Sequence, residues 1–301
     1  MSGFMNRFYY GRAGQADYTQ ESLPENRWQL FFEMLKVRFS ALMGVNLFYL
    51  GFCVPALIWT LINVAVVVST PDAMQATDVL LSGVAFTYLL GMIPCLGLAG
   101  IGATGEMYIL RNWARDQHAF LASDFKDTIK SNWKYGLFTG LINGFSLFTA
   151  WLCYTVYGQM AQGAWGWMIP QMVSVMLAIV WWMMNPLLFP MMVTYDLKYL
   201  QLLRNSLIMV LARLPWAFLL MLGSVGLPAL IALFIPYGWV VMVGVYLIIG
   251  FALTGFIYAS FANACFDRYL NPRIEGAQVG RGLREVTEDF QEEDDESEEP
   301  V

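Results

Sequence analysis

The chain has 301 residues, of which 58% are apolar and 16% aromatic, while only 13% are charged. A water-soluble protein carries about a quarter of its residues as Asp, Glu, Lys and Arg, so this composition excludes one large soluble body. The net charge of −6 arises at the C-terminus, because ten of the 23 acidic residues lie between Glu285 and Glu299. The remainder is mildly basic without a dense basic surface, which argues against nucleic-acid binding.

The N-terminal segment, residues 1–38, is polar and lacks the apolar core of a cleavable signal peptide. We expect it to be cytoplasmic, and the mixture of apolar and charged residues over Trp28–Arg38 predicts an amphipathic helix that leads at an angle into the first span. The first apolar segment then acts as a retained signal anchor.

Six apolar segments follow, each long enough to cross a bilayer as a helix of about 20 residues. They contain no Asp, Glu, Lys, Arg or His, and they are Leu42–Val68, Val79–Thr104, Tyr135–Tyr157, Met168–Val193, Trp216–Pro236 and Trp239–Ala262. The second stays apolar through Leu110, so its helix can end later. Because the hydrocarbon region offers the backbone no water, the sequence predicts an all-α integral membrane domain over residues 39–270.

The lysines and arginines all lie in segments that alternate with the spans so as to fall on one side of the membrane. All 17 lie in the N-terminal segment, in the long links Gly105–Lys134 and Thr194–Pro215, or in the C-terminal tail. Basic residues near span ends stay cytoplasmic during insertion. We therefore predict six transmembrane helices with both termini in the cytoplasm. The last segment, residues 271–301, is predicted to be a disordered acidic cytoplasmic tail.

Each long link is predicted to contain an amphipathic cytoplasmic helix. The first begins with Ser123 as its N-cap, and the second covers Asp196–Leu214. Two interpretations remain open, because such helices can anchor the protein at membrane lipid or bind a partner. The candidate residues for either interaction are Arg111, Arg115, Asp124, Lys126, Lys130, Trp133, Lys134, Arg204 and Asn205.

Within the spans, small and polar residues predict helix contacts. Residues Gly100–Gly105 match the dinucleotide-binding pattern GxGxxG, but a membrane segment precedes them instead of a strand, so we interpret the glycines as sites of close helix packing. Five amides are expected to bond between helices: Asn46, Asn63, Asn143, Gln171 and Asn185. Glu106 lies at a span end, where water or an ion pair with Arg111 can accommodate it, or where it has a functional role.

The sequence predicts no catalytic residue, cofactor or metal site. The four cysteines are far apart, and His118 is the only histidine, so neither a metal site nor a disulfide framework is indicated. No GxSxG or HExxH motif is present. We therefore expect that the protein is not an enzyme.

Several motifs resemble the YesL-like family of bacterial integral membrane proteins, whose function is unknown. Asn46–Pro55 resembles the first-span signature of that family, and Tyr108–Phe120 resembles its central loop. Further similar stretches are Ser123–Asp127, Lys130–Lys134, Pro186–Pro190, Leu200–Ser206 and Arg213–Pro215. The resemblance covers roughly residues 31–270, whereas Ala65–Gly91 resembles an insertion and the acidic tail an extension.

The resemblance implies a location and a role. Members of the family are often associated with carbohydrate ABC importers, which implies an accessory protein of sugar uptake in the bacterial plasma membrane, with permease subunits as partners. It implies no catalytic residue. An alternative is a transporter or permease subunit that itself moves a small solute, with which six spans and a faint internal duplication are compatible. The sequence does not indicate an oligomeric state.

Overall fold

The computed structural model describes residues 23–70 and 78–284, and these form helices without any strand. The first five helices are α1 (Arg27–Ser69), α2 (Asp78–Trp113), α3 (Leu121–Ala161), α4 (Met168–Met192) and α5 (Tyr199–Ala212). The next two spans each contain a π-helical turn. The fifth consists of α6 (Leu214–Met221), the turn Leu222–Gly226 and α7 (Leu227–Phe234). The sixth consists of α8 (Gly238–Val245), the turn Tyr246–Gly250 and α9 (Phe251–Tyr269).

Six helical segments within the described residues are long and apolar enough to cross a membrane, which confirms the predicted number and order of spans. The second continues to Trp113, as its apolar extension to Leu110 indicated. Two of the predicted connecting helices are not separate elements. The segment Trp28–Arg38 belongs to α1, and the helix that carries the lysines belongs to α3, because no proline interrupts either junction. Only α5 is an independent helix.

The predicted N-cap of α3 is wrong. The helix begins at Leu121 with Phe120 as its N-cap, three residues earlier than a cap at Ser123 requires. The reason is that the Asp124 carboxylate reaches back and accepts the backbone N–H of Phe120 at 2.8 Å. Asp124 therefore lies in the first turn as predicted, where a negative charge suits the helix dipole.

Glycines allow the backbones of α2 and α3 to touch. A Cβ atom on Gly136 would lie 2.6 Å from the carbonyl oxygen of Gly100, and one on Gly144 would lie 2.6 Å from the Cα atom of Ile93. Real Cβ atoms do not approach so closely, so any larger residue would force the helices apart. The packing role predicted for Gly100 is confirmed.

Four of the five span amides bond between helices as predicted. Asn143 donates to Asn185 at 3.0 Å, and Gln171 donates to the Tyr154 carbonyl at 3.0 Å. Asn46 donates to the carbonyls of residues 246 and 247 and accepts the N–H of residue 252, so it satisfies backbone groups at the π-helical turn. The prediction is wrong for Asn63, which bonds within α1 to Trp59, four residues earlier.

The N- and C-terminal parts of the described chain meet at one end of the bundle. The Arg284 N–H donates to the Pro24 carbonyl at 2.9 Å, and the Tyr195 hydroxyl donates to Asn271 at 2.6 Å. We call this the basic end, and it consists of residues 23–38, 105–134, 194–213 and 263–284. Of the segment 271–301 that was predicted to be a disordered tail, residues 271–284 pack here, and the remainder lies outside the described residues.

Candidate functional site

An ion pair at the basic end connects the start of α1 to the last turns of α9. Arg27 at the start of α1 pairs with Asp267 near the end of α9, and their side chains are only 20% and 13% exposed. The second oxygen of Asp267 accepts from the Asn271 amide at 2.6 Å, and Asn271 in turn accepts from the Tyr195 hydroxyl at 2.6 Å. The network therefore fixes α1, α9 and the link before α5 to one another.

Two candidate residues, Arg111 and Arg115, lie in the interior of the basic end. Arg115 donates to the Gln278 carbonyl at 3.1 Å, and Arg111 donates to Asn112 at 2.5 Å. Burial lowers the pKa of Arg115; Asp267 opposes this shift, whereas the nearby charge of Arg27 adds to it. Both arginines are half-buried, so they hold the basic end together and present little of their charge to the outside.

The C-terminal segment rests directly on the loop of Arg115. Gly282 adopts a φ of +83°, and a Cβ atom there would lie 2.9 Å from the carbonyl oxygen of Arg115. Only glycine fits this conformation at such close approach. No sequence pattern predicts these contacts, because the partners are far apart in the chain. The one local signal was that Asp267 is the single acidic residue of α9.

The lysine face is the part of the predicted site in which every residue is exposed. It consists of Lys126, Lys130, Trp133 and Lys134 on the first four turns of α3. Lys134 lies over the Trp133 ring at 5.8 Å, and the tryptophan is 43% exposed. Lys130 lies 3.6 Å from Asp127, but both side chains are more than half exposed, so this pair is weak. Within the described residues, the other two lysines form no ion pair.

Helix packing places the lysine face beyond the apolar part of the bundle. A Cβ atom on Gly136 would lie 2.7 Å from the Thr104 side chain, so Gly136 lies beside the end of the second predicted apolar segment. Residues 121–134 precede Gly136, and α3 runs antiparallel to α2. The lysine face therefore projects past the level at which the apolar segment ends, into the basic end.

The last two candidates, Arg204 and Asn205, lie on α5 beside α3. The Tyr199 hydroxyl is 3.0 Å from the Thr139 hydroxyl, and its ring lies 5.1 Å from that of Phe138. Arg204 is exposed, and Asn205 is partly exposed. A helix of this length spans about 21 Å, too short to cross a bilayer. Its exposed apolar residues fit either a membrane surface or a partner, and they are Leu200, Leu207, Ile208 and Leu211.

Glu106 is buried inside the basic end rather than paired. Only 5% of the residue is exposed, its Oε1 atom has no hydrogen-bond partner, and no ion pair with Arg111 forms. The two residues are five positions apart and thus about 140° apart around the helix, which explains why they do not meet. A Cβ atom on Gly255 would lie 3.7 Å from Oε1, so the carboxylate faces α9.

Replacing Glu106 by methionine is expected to leave the fold intact and to raise the thermal stability of the protein. Burying a carboxylate without a hydrogen-bonded partner costs several kcal/mol of lost hydration, and an apolar side chain of similar volume avoids that cost. The measurement is thermal unfolding of the purified protein, with Glu275→Met as the control because Glu275 is exposed. Clear destabilisation by Glu106→Met would mean that the carboxylate has a bonded partner.

Among the described residues, no group of three His, Cys, Asp or Glu side chains is placed to bind a metal ion. The four cysteines are free, and two of them, Cys53 and Cys265, are buried. A comparison with protein-family models, curated proteins and solved structures finds no match to this chain. The YesL-like resemblance therefore rests on the motifs alone.

Proposed function

We propose that the protein is a non-catalytic accessory or assembly protein of the bacterial plasma membrane that binds the permease subunits of a carbohydrate ABC importer. In this proposal the basic end lies in the cytoplasm, since the lysines and arginines of the sequence cluster in its segments. The link to sugar import comes from the motifs that resemble the YesL-like family.

The exposed lysine face is the observation that carries the proposal. Arg27 and Arg115 satisfy groups inside the basic end, whereas the side chains of Lys126 and Lys134 have no internal acidic partner among the described residues. Their charge is available to an acidic surface of a partner, and the half-exposed Trp133 beside them can provide an apolar anchor. Membrane lipid at the same face is compatible with this arrangement, since only part of α3 need contact headgroups.

Charge reversal of the lysine face is expected to remove the partner. The triple variant Lys126→Glu, Lys130→Glu, Lys134→Glu places repulsive charges on the docking surface, and we expect recovery of co-purifying permease subunits to fall at least about tenfold. The measurement is affinity purification of the full chain from detergent-solubilised bacterial membranes, followed by quantitative mass spectrometry.

The matched control carries the same charge change elsewhere. Lys36, Lys198 and Arg273 are also exposed at the basic end, and their replacement by glutamate is expected to preserve permease recovery. Equal recovery with both triple variants would contradict the docking role of the lysine face. Flux of a small solute by the purified protein alone in liposomes would instead establish the alternative, a transporter.

A further inference from the structure

A long groove runs between the fifth span and the sixth. Its volume is about 780 Å³, and it extends from Arg213 to Ile231 along α6 and α7, facing α9. At 1.5 Å per residue this length corresponds to about 27 Å, close to the thickness of the hydrocarbon core. The groove is therefore long enough to accommodate an extended acyl chain from one leaflet.

A small hydroxyl network joins the two spans at the middle of the groove. The Ser224 and Tyr258 hydroxyls lie 2.6 Å apart, and the Tyr246 hydroxyl donates to the Ser224 carbonyl at 3.1 Å. Ser224 and Tyr246 lie in the two π-helical turns, where the extra residue per turn displaces the backbone. Each of the three hydroxyls therefore has a hydrogen-bond partner within the protein, so none of them requires a polar ligand.

Toward the basic end the wall is apolar except for the hydroxyls of Thr254 and Ser260, and Ser260 donates to the Phe256 carbonyl of its own helix at 2.9 Å. Leu219, Leu220, Leu253, Ile257 and Phe261 line it, without an acidic side chain. A sugar would leave its hydroxyl groups unpaired against such a surface, which costs free energy for every unsatisfied group. An alkyl chain is the ligand chemistry that fits it.

The mouth of the groove combines arginines with tryptophans. Arg27 and Arg213 line it together with Trp28 and Trp216, both of which are exposed. Arg213 donates through Nε to the Tyr269 hydroxyl at 3.1 Å and lies 5.7 Å from that ring, but it has no carboxylate partner within the described residues.

A third arginine, Arg268, lies beside this mouth without lining the groove itself. The guanidinium of Arg268 lies 5.9 Å from the Tyr269 ring, on which Arg213 also rests. Among the described residues, Asp267 is the only acidic residue that forms an ion pair with any of the three arginines Arg27, Arg213 and Arg268. Tryptophans and arginines at the end of an apolar wall are typical of the headgroup level of a bilayer. The mouth is therefore complementary to a phosphate group.

From these features we infer that the groove binds an anionic phospholipid of the leaflet at the basic end. The phosphate lies against Arg213 and Arg268, and one acyl chain follows the wall of α6 and α9 toward Ser224. The lipid fills the space between the two spans on the side of the hydroxyl network that faces the basic end, and thus completes the packing of the fifth span.

The test is native mass spectrometry of the purified full chain with phosphatidylglycerol or phosphatidylcholine of identical acyl chains. Wild-type protein is expected to retain phosphatidylglycerol preferentially. Gly223 lines the groove, and a Cβ atom there meets nothing within 4 Å, so Gly223→Trp fills the groove without a backbone clash. This variant is expected to lose bound phosphatidylglycerol about tenfold.

A second glycine, which lies outside the groove, serves as the control for the effect of introducing a large side chain. Gly244 also has no atom within 4 Å of an added Cβ and does not line the groove, so Gly244→Trp should retain the lipid. Arg213→Gln should reduce the preference for phosphatidylglycerol over phosphatidylcholine about fivefold, whereas Arg273→Gln should preserve it.

Three results would overturn the inference. Equal lipid retention by the two tryptophan variants would show that the lipid binds elsewhere. Equal binding of the two phospholipids by the wild type would remove the role of the arginines. A wild-type dimer that becomes monomeric on Gly223→Trp, with lipid retention unchanged, would show that a second copy of the chain covers the groove.

Discussion

Replacing Gly140 by alanine is expected to destabilise the helical bundle by about 2–3 kcal/mol, the upper range for overpacking a well-packed interior. A Cβ atom at Gly140 would overlap the carbonyl oxygen of Leu96 and lie 2.9 Å from the Cα atom of Gly97. Both obstacles are backbone atoms, so no side chain can rotate away. The measurement is thermal unfolding monitored by a thiol-reactive dye that labels the buried Cys53 and Cys265 as the bundle opens, with the half-buried Cys95 and Cys153 replaced by serine.

The control is the same methyl group added at a glycine without neighbours. Gly51 lies inside α1, and a Cβ atom there meets nothing within 4 Å. Alanine is the better helix former by up to about 1 kcal/mol, so Gly51→Ala should be neutral or stabilising. Equal unfolding temperatures for the two variants would show that α2 and α3 are not in backbone contact at Gly140.

The apolar segments were sufficient to predict the spans because membrane crossing depends on local properties. Length and the absence of charge within each segment determine whether a helix crosses the bilayer, and both are readable along the chain. Helix boundaries were less accurate. Ser123 is a favourable N-cap, but the carboxylate of Asp124 competes by reaching back to the Phe120 N–H. The π-helical turns at Leu222–Gly226 and Tyr246–Gly250 were not predicted, since no local residue pattern specifies them.

In the candidate site, too, the features that depend on local sequence were predictable, and the features that depend on tertiary contacts were not. The lysines recur every four residues, and this spacing alone placed Lys126, Lys130 and Lys134 on one face of α3. A count of basic residues in the link does not distinguish Arg111 and Arg115 from those lysines. The structure nevertheless places the two arginines in the interior of the basic end. What separates them is contact with residues 263–284, which lie about 150 positions away in the chain.

Removing the carboxylate of Asp267 by alanine is expected to destabilise the basic end by about 3 kcal/mol, near the cost of breaking a buried ion pair. Arg27 would lose its acidic partner while its guanidinium stays largely covered, and Asn271 would lose its acceptor. The expected result is a lower unfolding temperature and earlier dye labelling of Cys265, which lies two residues before Asp267. Asp127→Ala is the control, because its pair with Lys130 is exposed and such pairs contribute at most about 1 kcal/mol.

A charge swap distinguishes the ion pair from a simple loss of packing. The double variant Arg27→Asp, Asp267→Arg restores opposite charges at the two positions, so it should recover part of the stability that each single variant loses. If the double variant is as unstable as the sum of the single variants, the pairing energy is negligible and the network depends on the Asn271 and Tyr195 hydrogen bonds.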